Sequence, residues 1–309
     1  MKAIIRGDLD GIVCATLLKA AGQVDTVSIV SIRDILDGKV KVTDQDIVCN
    51  LPFQPDAYMW FDHHSSETKN VPPLPDDFRG GFALAPSTAG VVYKYLLLSN
   101  PEIERFAQLV RDTDMLDSAD LTEEDIRNPQ GTILLGLLLD PRTRMYSNSN
   151  YKDDYLAWKL KIPDLLLEYS TEEILAMPEA REWQRIYREC QEEAIRILQG
   201  CSYLDGNVII SDFRGKMLAP VNRFILYTLP DLSDGNISVQ IADGEPGVWD
   251  EIAVGHSIFK RTSMVDVGEL CSWYGGGGHR TVGVCRPSVE DAEQVFREII
   301  AACKEPSGP

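Results

Sequence analysis

The chain reads as a two-domain α/β protein: an N-terminal domain built on a parallel sheet, a helical connection, and a smaller α/β C-terminal domain. Three observations predict this. Over roughly the first 115 residues, short unbroken apolar runs alternate with helically spaced segments, the pattern of strands buried on both faces by crossover helices. From there to about residue 200 the spacing is mostly helical, and from Cys201 it turns β-rich before closing on an amphipathic helix. With 309 residues, each of two domains can bury its own core. The expected division is 1–200 and 201–309.

Taken in order, Ala3-Ile4-Ile5 is the first strand and Gly11 to Ala21 the first helix. Val27 to Val30, Ile47 to Cys49 and Tyr58 to Phe61 are further strands, and Ser87–Leu98 and Ile103–Val110 are helices. Tyr151–Leu160 and Ile162–Tyr169 read as two short helices. A long one starts at Pro178, a residue suited to the first helical position, and runs to about Leu198 with Gly200 as its stop. Its charges, Glu179, Glu182, Arg185 and Glu192, form a solvated face. Asn207–Ile210, Asn236–Ile241 and Glu251–Gly255 are strand candidates. Ser288 with Asp291 resembles a capping box ahead of a helix whose Ala292, Val295, Phe296, Ile299 and Ile300 keep core spacing through Cys303, and the last residues, 305–309, are expected to fray.

Composition excludes several classes. A formal net charge of −18 opposes a nonspecific grip on duplex nucleic acid, while leaving room for short nucleotides or polyphosphate in a locally positive cleft. No apolar run approaches the roughly 20 residues that span a bilayer, and charges follow Met1-Lys2-Ala3-Ile4-Ile5 at once, unlike a signal peptide. Seven cysteines without a CxxC pair read as reduced thiols of a cytoplasmic protein, with Cys14, Cys49 and Cys285 as packing residues. No membrane partner is expected, and a homodimer is left open.

The polar residues at strand ends carry the chemistry. There are only four histidines. Two stand together in Phe61-Asp62-His63-His64, one lies in Gly255-His256-Ser257, and one closes Gly275-Gly276-Gly277-Gly278-His279. Asp8 and Asp10 follow the first strand, Asn50 follows the third, and the Asp-His-His triplet follows the fourth. In parallel sheets such carboxyl ends line the ligand crevice, and carboxylates beside imidazoles hold hard and borderline divalent cations. The four glycines permit close backbone approach and can turn amide N–H groups toward an anion.

Arg6-Gly7-Asp8-Leu9-Asp10-Gly11, Asp62-His63-His64, Arg111-Asp112-Thr113-Asp114 and Gly275–His279, in that order, resemble the DHH phosphoesterase superfamily with its associated C-terminal domain. Gly255–Ser263 and Asn222-Arg223-Phe224 look like its exopolyphosphatase-like subgroup. The resemblance covers nearly the whole chain. It implies a hydrolase using two divalent cations, manganese or magnesium, about 3.5–4 Å apart. Carried over by position, Asp8 and Asp114 would bind the first ion, and Asp10 and His63 the second; Asp112 and Asp117 are alternatives to Asp114. Asp62 would orient an imidazole, and His64 would face the substrate phosphate. Arg223, Arg261, Gly275, Gly276, Gly277, Gly278, His279 and Arg280 would bind substrate. Thr281-Val282-Gly283 departs from the small, Ala-rich residues usual there.

Two departures touch the metals. The family usually has histidine where this chain has Arg6, which offers no lone pair. Its bridging aspartate falls near Asn50, whose neutral amide bridges two cations poorly. Arginine for neutral histidine adds one positive charge, and asparagine for aspartate removes one negative charge. The site thus gains two units, the charge of one divalent cation. The expectation is that the Arg6 guanidinium takes the first ion's place, pairing with Asp8 and Asp114, and that the chain binds fewer than two ions. The expected function is metal-dependent hydrolysis of a phosphoester or phosphoanhydride in an interdomain cleft, acting on a phosphorylated small molecule, short oligonucleotide or polyphosphate. The alternative is a non-catalytic binder of phosphorylated ligands on the same scaffold.

Overall fold

A computed structural model describes residues 1–64, 67–71, 78–143, 145, 152–216 and 222–304. It divides into two compact units, one comprising Met1–Asp120 with Pro129–Tyr187, the other Leu121–Asn128 with Arg188–Pro309.

The first unit is built on five strands, β1 (Lys2–Arg6), β2 (Thr26–Val30), β3 (Asp46–Cys49), β4 (Met59–Asp62) and β5 (Gly80–Phe82), in the order β2-β1-β3-β4-β5. All neighbours pair in parallel, with Ile5 opposite both Ile29 and Cys49. Strand order reverses beside β1, and the chain leaves β1 and β3 on opposite sides of that switch point, where parallel sheets take ligands. The helices are α1 (Leu9–Ala20), α2 (Ile32–Leu36), α3 (Glu67–Asn70), α4 (Thr88–Leu97) and α5 (Ala107–Asp117); then α6 (Glu123–Arg127), which belongs to the second unit; then α7 (Gly131–Leu139), α8 (Lys152–Glu168) and α9 (Thr171–Ala176). The helix α10 (Pro178–Cys201) contains the point at which the units divide.

The position of α1 explains its composition. Every residue from Leu9 to Leu18 is buried, because the helix packs against β1, α4, α5 and α8 at once. Such a helix is apolar all round rather than on one stripe. Under the sheet's other face, Ile4, Val48, Leu51 and Trp60 form a core with Ile35 and Val42. Trp60 also donates Nε1–H to the Leu51 carbonyl at 2.9 Å, so its indole pins the turn after β3.

The second unit holds a mixed sheet of β6 (Ser202–Asp205), β7 (Val208–Asp212), β8 (Ile237–Glu245), β9 (Trp249–His256), β10 (Gly277–His279) and β11 (Val282–Cys285), ordered β10-β11-β9-β8-β7-β6. Only β7 and β8 pair in parallel. Helices α11 (Val267–Ser272) and α12 (Ala292–Cys303) supply Val267, Leu270, Ala292, Phe296 and Ile299 to its core with Val239 and Val254. The turn before α12 forms as its residues predict: Ser288 Oγ donates to Asp291 Oδ2 at 2.7 Å and accepts from the Asp291 amide.

The α/β reading stands, with local differences. The two short helices expected between 151 and 169 are one, α8, with Pro163 inside it; Tyr151 lies outside the described residues. Helix α10 runs through Gly200 instead of stopping there. Strands β5, β6, β10 and β11 and helices α2, α3, α6, α7, α9 and α11 were not anticipated. These strands have only three or four residues, too few to show a period, and β5 and β10 are mainly glycine. The expected frayed end, 305–309, is outside the described residues. Among the described residues, no helix is long and apolar enough to cross a membrane.

Candidate metal centre

The loop leaving β1 turns sharply into α1. Asp8 caps that helix, its Oδ1 accepting from the Gly11 amide at 3.1 Å. Gly11 is required here because a Cβ would lie 2.0 Å from the Arg6 carbonyl oxygen. Near the start of the helix, Asp10 is 1% exposed and aims at the N-terminus of α4. Its Oδ2 accepts from the Thr88 amide at 3.0 Å and its Oδ1 from the Ala89 amide at 2.6 Å. The unsatisfied amides and positive end of a helix thereby hold the carboxylate in place.

Strand β4 is buried throughout and ends at Asp62, so the next two residues emerge at the sheet's carboxyl edge. The two imidazoles are held differently. His63 Nδ1 meets the Ala85 carbonyl at 2.9 Å, which requires Nδ1 to carry a proton, so in the neutral ring Nε2 is the nitrogen that offers a lone pair. His64 Nδ1 lies 2.9 Å from Asp62 Oδ1, an acceptor, so its Nε2 is directed away from Asp62. Asp62 therefore orients His64, not His63.

Helix α5 completes the group. Asp114 and Asp117, three residues apart, share a face. Asp117 Oδ2 lies 3.1 Å from His63 Nε2, and Asp10 Oδ2 lies 3.9 Å from the same atom. Ligand atoms of Asp10, His63 and Asp117 all fall within 4.8 Å of one another, and among the described residues they form the cluster of His, Cys, Asp and Glu able to hold a cation. His63 Nε2 is buried and, despite the short separation from Asp117, makes no aligned hydrogen bond. A backbone carbonyl fixing Nδ1 while Nε2 lies between two carboxylates is a donor set that suits a divalent ion.

The charges agree. Burial, then the nearby charges of Asp117 and Asp8, push the Asp10 carboxyl up to about 7. Burial works to lower His63, but Asp117 and Asp10 outweigh it and raise the imidazolium to about 9. Burial would raise Asp117, yet His63, Arg142 and His64 hold it below the ordinary carboxylate range. Protons are thus gathered where a cation would replace them.

Not every expected residue joins this group. Asp114 does not: its Oδ1 accepts the Ser87 hydroxyl at 2.5 Å, and that hydroxyl in turn caps α4. Arg6 pairs with Asp8, Nε to Oδ2 at 3.0 Å, and not with Asp114. Asn50 donates Nδ2–H to Asp8 Oδ1 at 2.8 Å, held in a left-handed backbone conformation at φ 58°. Asp8 Oδ1 thus accepts from two donors and Oδ2 faces the Arg6 guanidinium; Asp8 Oδ2 and Asn50 Oδ1 are both buried without an aligned hydrogen bond. Sequence reading missed the amides of Thr88 and Ala89, for which Ser87 as an N-cap is the available signal. It also missed Lys159, 2% exposed, whose Nζ donates to the Leu139 carbonyl at 2.8 Å and would touch a Cβ on Gly7 at 3.1 Å. Burial pushes its ammonium down to about 8, against the pull of Asp8 and Asp140.

In the second unit, β10 runs antiparallel to β11 with Gly278 opposite Gly283. A Cβ on Gly276 or Gly278 would strike the Val284 or Val282 carbonyl at 2.1 or 2.2 Å. The amides of Gly275 and Gly276 donate to Ser272 and Cys271 carbonyls, so those two do not contribute to an anion nest. His279, Arg280, Arg261 and Arg223 are exposed. Arg261 Nε donates to the Ile258 carbonyl at 3.0 Å, and the Arg223 guanidinium stacks 4.4 Å over Phe224. His256 is structural: its Nε2 lies 3.0 Å from the Val265 carbonyl.

The solved pGpG-specific phosphodiesterase PggH of Vibrio cholerae matches this chain at 31% identity over 98% of both chains, with a TM-score of 0.78. The chain belongs to the DHH phosphoesterase superfamily. RecJ of Thermus thermophilus, solved with Mn2+, shares the fold at 12% identity and a TM-score of 0.52, over 99% of this chain and 52% of RecJ; its Mg2+ complex gives 13% and 0.51. No family model and no curated protein matches. The rings of the paired histidines lie 4.2 Å apart, His63 Nε2 toward Asp117 and Asp10 and His64 Nδ1 against Asp62.

Proposed function

We propose that the chain is a metal-dependent phosphodiesterase of short linear nucleotides, and that a 5′-phosphorylated dinucleotide of the kind PggH is named for is its substrate class. The observation that carries this is the buried, unpartnered Nε2 of His63 set between Asp10 and Asp117. The 98% mutual coverage with a pGpG phosphodiesterase supports the nucleotide over polyphosphate. Asp10, His63 and Asp117 would hold one ion, manganese or magnesium, with fewer than two ions per chain. When bound, it supplies Lewis-acid polarisation and a hydroxide source at neutral pH.

The chain's own groups do the rest. Asp62 accepts from His64 Nδ1, so that the His64 imidazolium can deliver its Nε2 proton to the leaving ribose oxygen as the P–O bond breaks and water's oxygen bonds to phosphorus, the water's proton passing to solvent and His64 being reprotonated for the next turnover. The N-terminus of α4 keeps Asp10 aimed at the ion throughout. Within the second unit, Arg223, Arg261, His279 and Arg280 are exposed groups able to take an anionic ligand by charge-assisted hydrogen bonds, with Gly275, Gly276, Gly277 and Gly278 allowing the close strand pairing that presents His279.

The test is hydrolysis by the manganese-loaded protein of a panel: a linear 5′-phosphorylated dinucleotide, a cyclic dinucleotide, a longer single strand and polyphosphate. Conversion of the linear dinucleotide to mononucleotides, abolished by chelation, is the expected result. The pairing of Asp8 with Arg6 and Asn50 favours a second reading, a non-catalytic binder. Tight dinucleotide binding with no hydrolysis of any substrate, metal bound, would establish that reading instead.

A further inference from the structure

Resting on that reading of the centre, we propose that Arg6 is a built-in cation: held by Asp8, which Asn50 holds in turn, it occupies the place of a second divalent ion and receives a phosphoryl oxygen of the substrate. Three observations converge. First, Asp8 already has a counter-charge: the Gly11 amide and Asn50 Nδ2 donate to Oδ1, and Arg6 Nε lies 3.0 Å from Oδ2, which makes no aligned hydrogen bond. Second, the neighbourhood is already cationic. Lys159 abuts Gly7, between Arg6 and Asp8, and the charge of Arg142, paired with Asp140, also acts on Asp8 and Asp117. A divalent ion entering beside Asp8 would meet the Arg6 guanidinium and lie near the Lys159 ammonium. Third, the Arg6 guanidinium is mostly buried, with its side chain 17% exposed, and makes no hydrogen bond to another described residue beyond its ion pair with Asp8. A guanidinium has five N–H donors in a planar fork that matches phosphate geometry. Those remaining donors lie beside Asp8, two residues from Asp10 on the same turn into α1.

Asn50 follows from the same logic. A carboxylate there would set a third acid against Asp8 and Asp10. The amide instead donates Nδ2–H to Asp8, presented from a left-handed backbone at φ 58° that asparagine adopts more readily than most residues. Histidine to arginine and aspartate to asparagine together change the local charge by the two units that one ion would carry.

The experiment counts manganese per chain by equilibrium dialysis and reads electron paramagnetic resonance of the manganese-loaded protein, for wild type, Arg6→His, Asn50→Asp, the double variant and Arg6→Lys. Wild type, each single and Arg6→Lys are expected to bind one ion with an isolated-ion spectrum. The double variant is expected to bind two, with an exchange-coupled spectrum, so the gain is strongly non-additive. Two ions in wild type, a second ion in either single, or one ion in the folded double overturns the proposal. Should the double variant fail to fold, the wild-type count and spectrum decide alone. A wild type that binds one ion but cleaves nothing supports the charge replacement and removes the enzymatic reading; a wild type that binds none overturns both.

Discussion

Lowering the pH should strip the metal centre in a quantitatively defined way. A cation needs Asp10 ionised and His63 neutral. Asp10 is pushed up to about 7 by burial and by Asp117 and Asp8, and His63 is raised to about 9 by Asp117 and Asp10 against burial. Asp117, held low, has no proton to lose in this range. At pH 6 both groups are protonated, so ion affinity climbs close to two decades per pH unit there; between 7 and 9 it climbs about one, and above 9 it levels. From pH 6 to 8 manganese affinity should rise about a thousandfold, or about 4 kcal/mol at 1.36 kcal/mol per decade. Titration calorimetry in buffers of different ionisation enthalpy measures both quantities, and near pH 7 about one and a half protons should leave per ion bound. An affinity that is flat between pH 6 and 8, with no proton released, would refute the placement of the ion among these three groups.

Other outcomes separate the neighbours. Asp117→Asn should lose the ion and all hydrolysis, whereas Asp114→Asn should keep the ion, because Asp114 is bonded to Ser87; metal content by emission spectroscopy distinguishes them. His64→Ala should retain full metal content while kcat falls about 10²–10⁴-fold, the usual weight of a positioned acid. Gly11→Ala forces a Cβ against the Arg6 carbonyl and should cost at least about 1–3 kcal/mol, read as a lowered Tm. Arg261→Ala or His279→Ala should raise KM for the dinucleotide without changing metal content, and loss of metal in either would show that the second unit's role is misassigned.

Much of the centre was legible because it sits at strand ends, which unbroken apolar runs mark clearly. Asp8, Asp10, Asn50 and the Asp62-His63-His64 triplet each follow a run that forms a strand, so topology alone brings them to one sheet edge. Pairing Arg6 with Asp8 was anticipated from charge. The choice among Asp112, Asp114 and Asp117 was not decidable from spacing. All three lie on one helix, and which of them reaches His63 depends on the rotation α5 takes up when Val110 and Thr113 bury. Lys159 was invisible for a related reason: a lone lysine in a helical run reads as exposed, and only tertiary packing under Gly7 buries it. The glycine loop was read as an anion cradle, but short edge strands carry no periodic signal, and β10 with its approach spends Gly276 and Gly278 on close contact with β11.

The account rests most directly on where a single ion lands. An anomalous difference map at the manganese edge, from crystals grown with manganese and a non-hydrolysable linear dinucleotide, should show one peak per chain within bonding distance of Asp10, His63 and Asp117, with a phosphoryl oxygen between that peak and the Arg6 guanidinium. A peak coordinated by Asp8 and Asp114, or a second peak in the place assigned to Arg6, would contradict it.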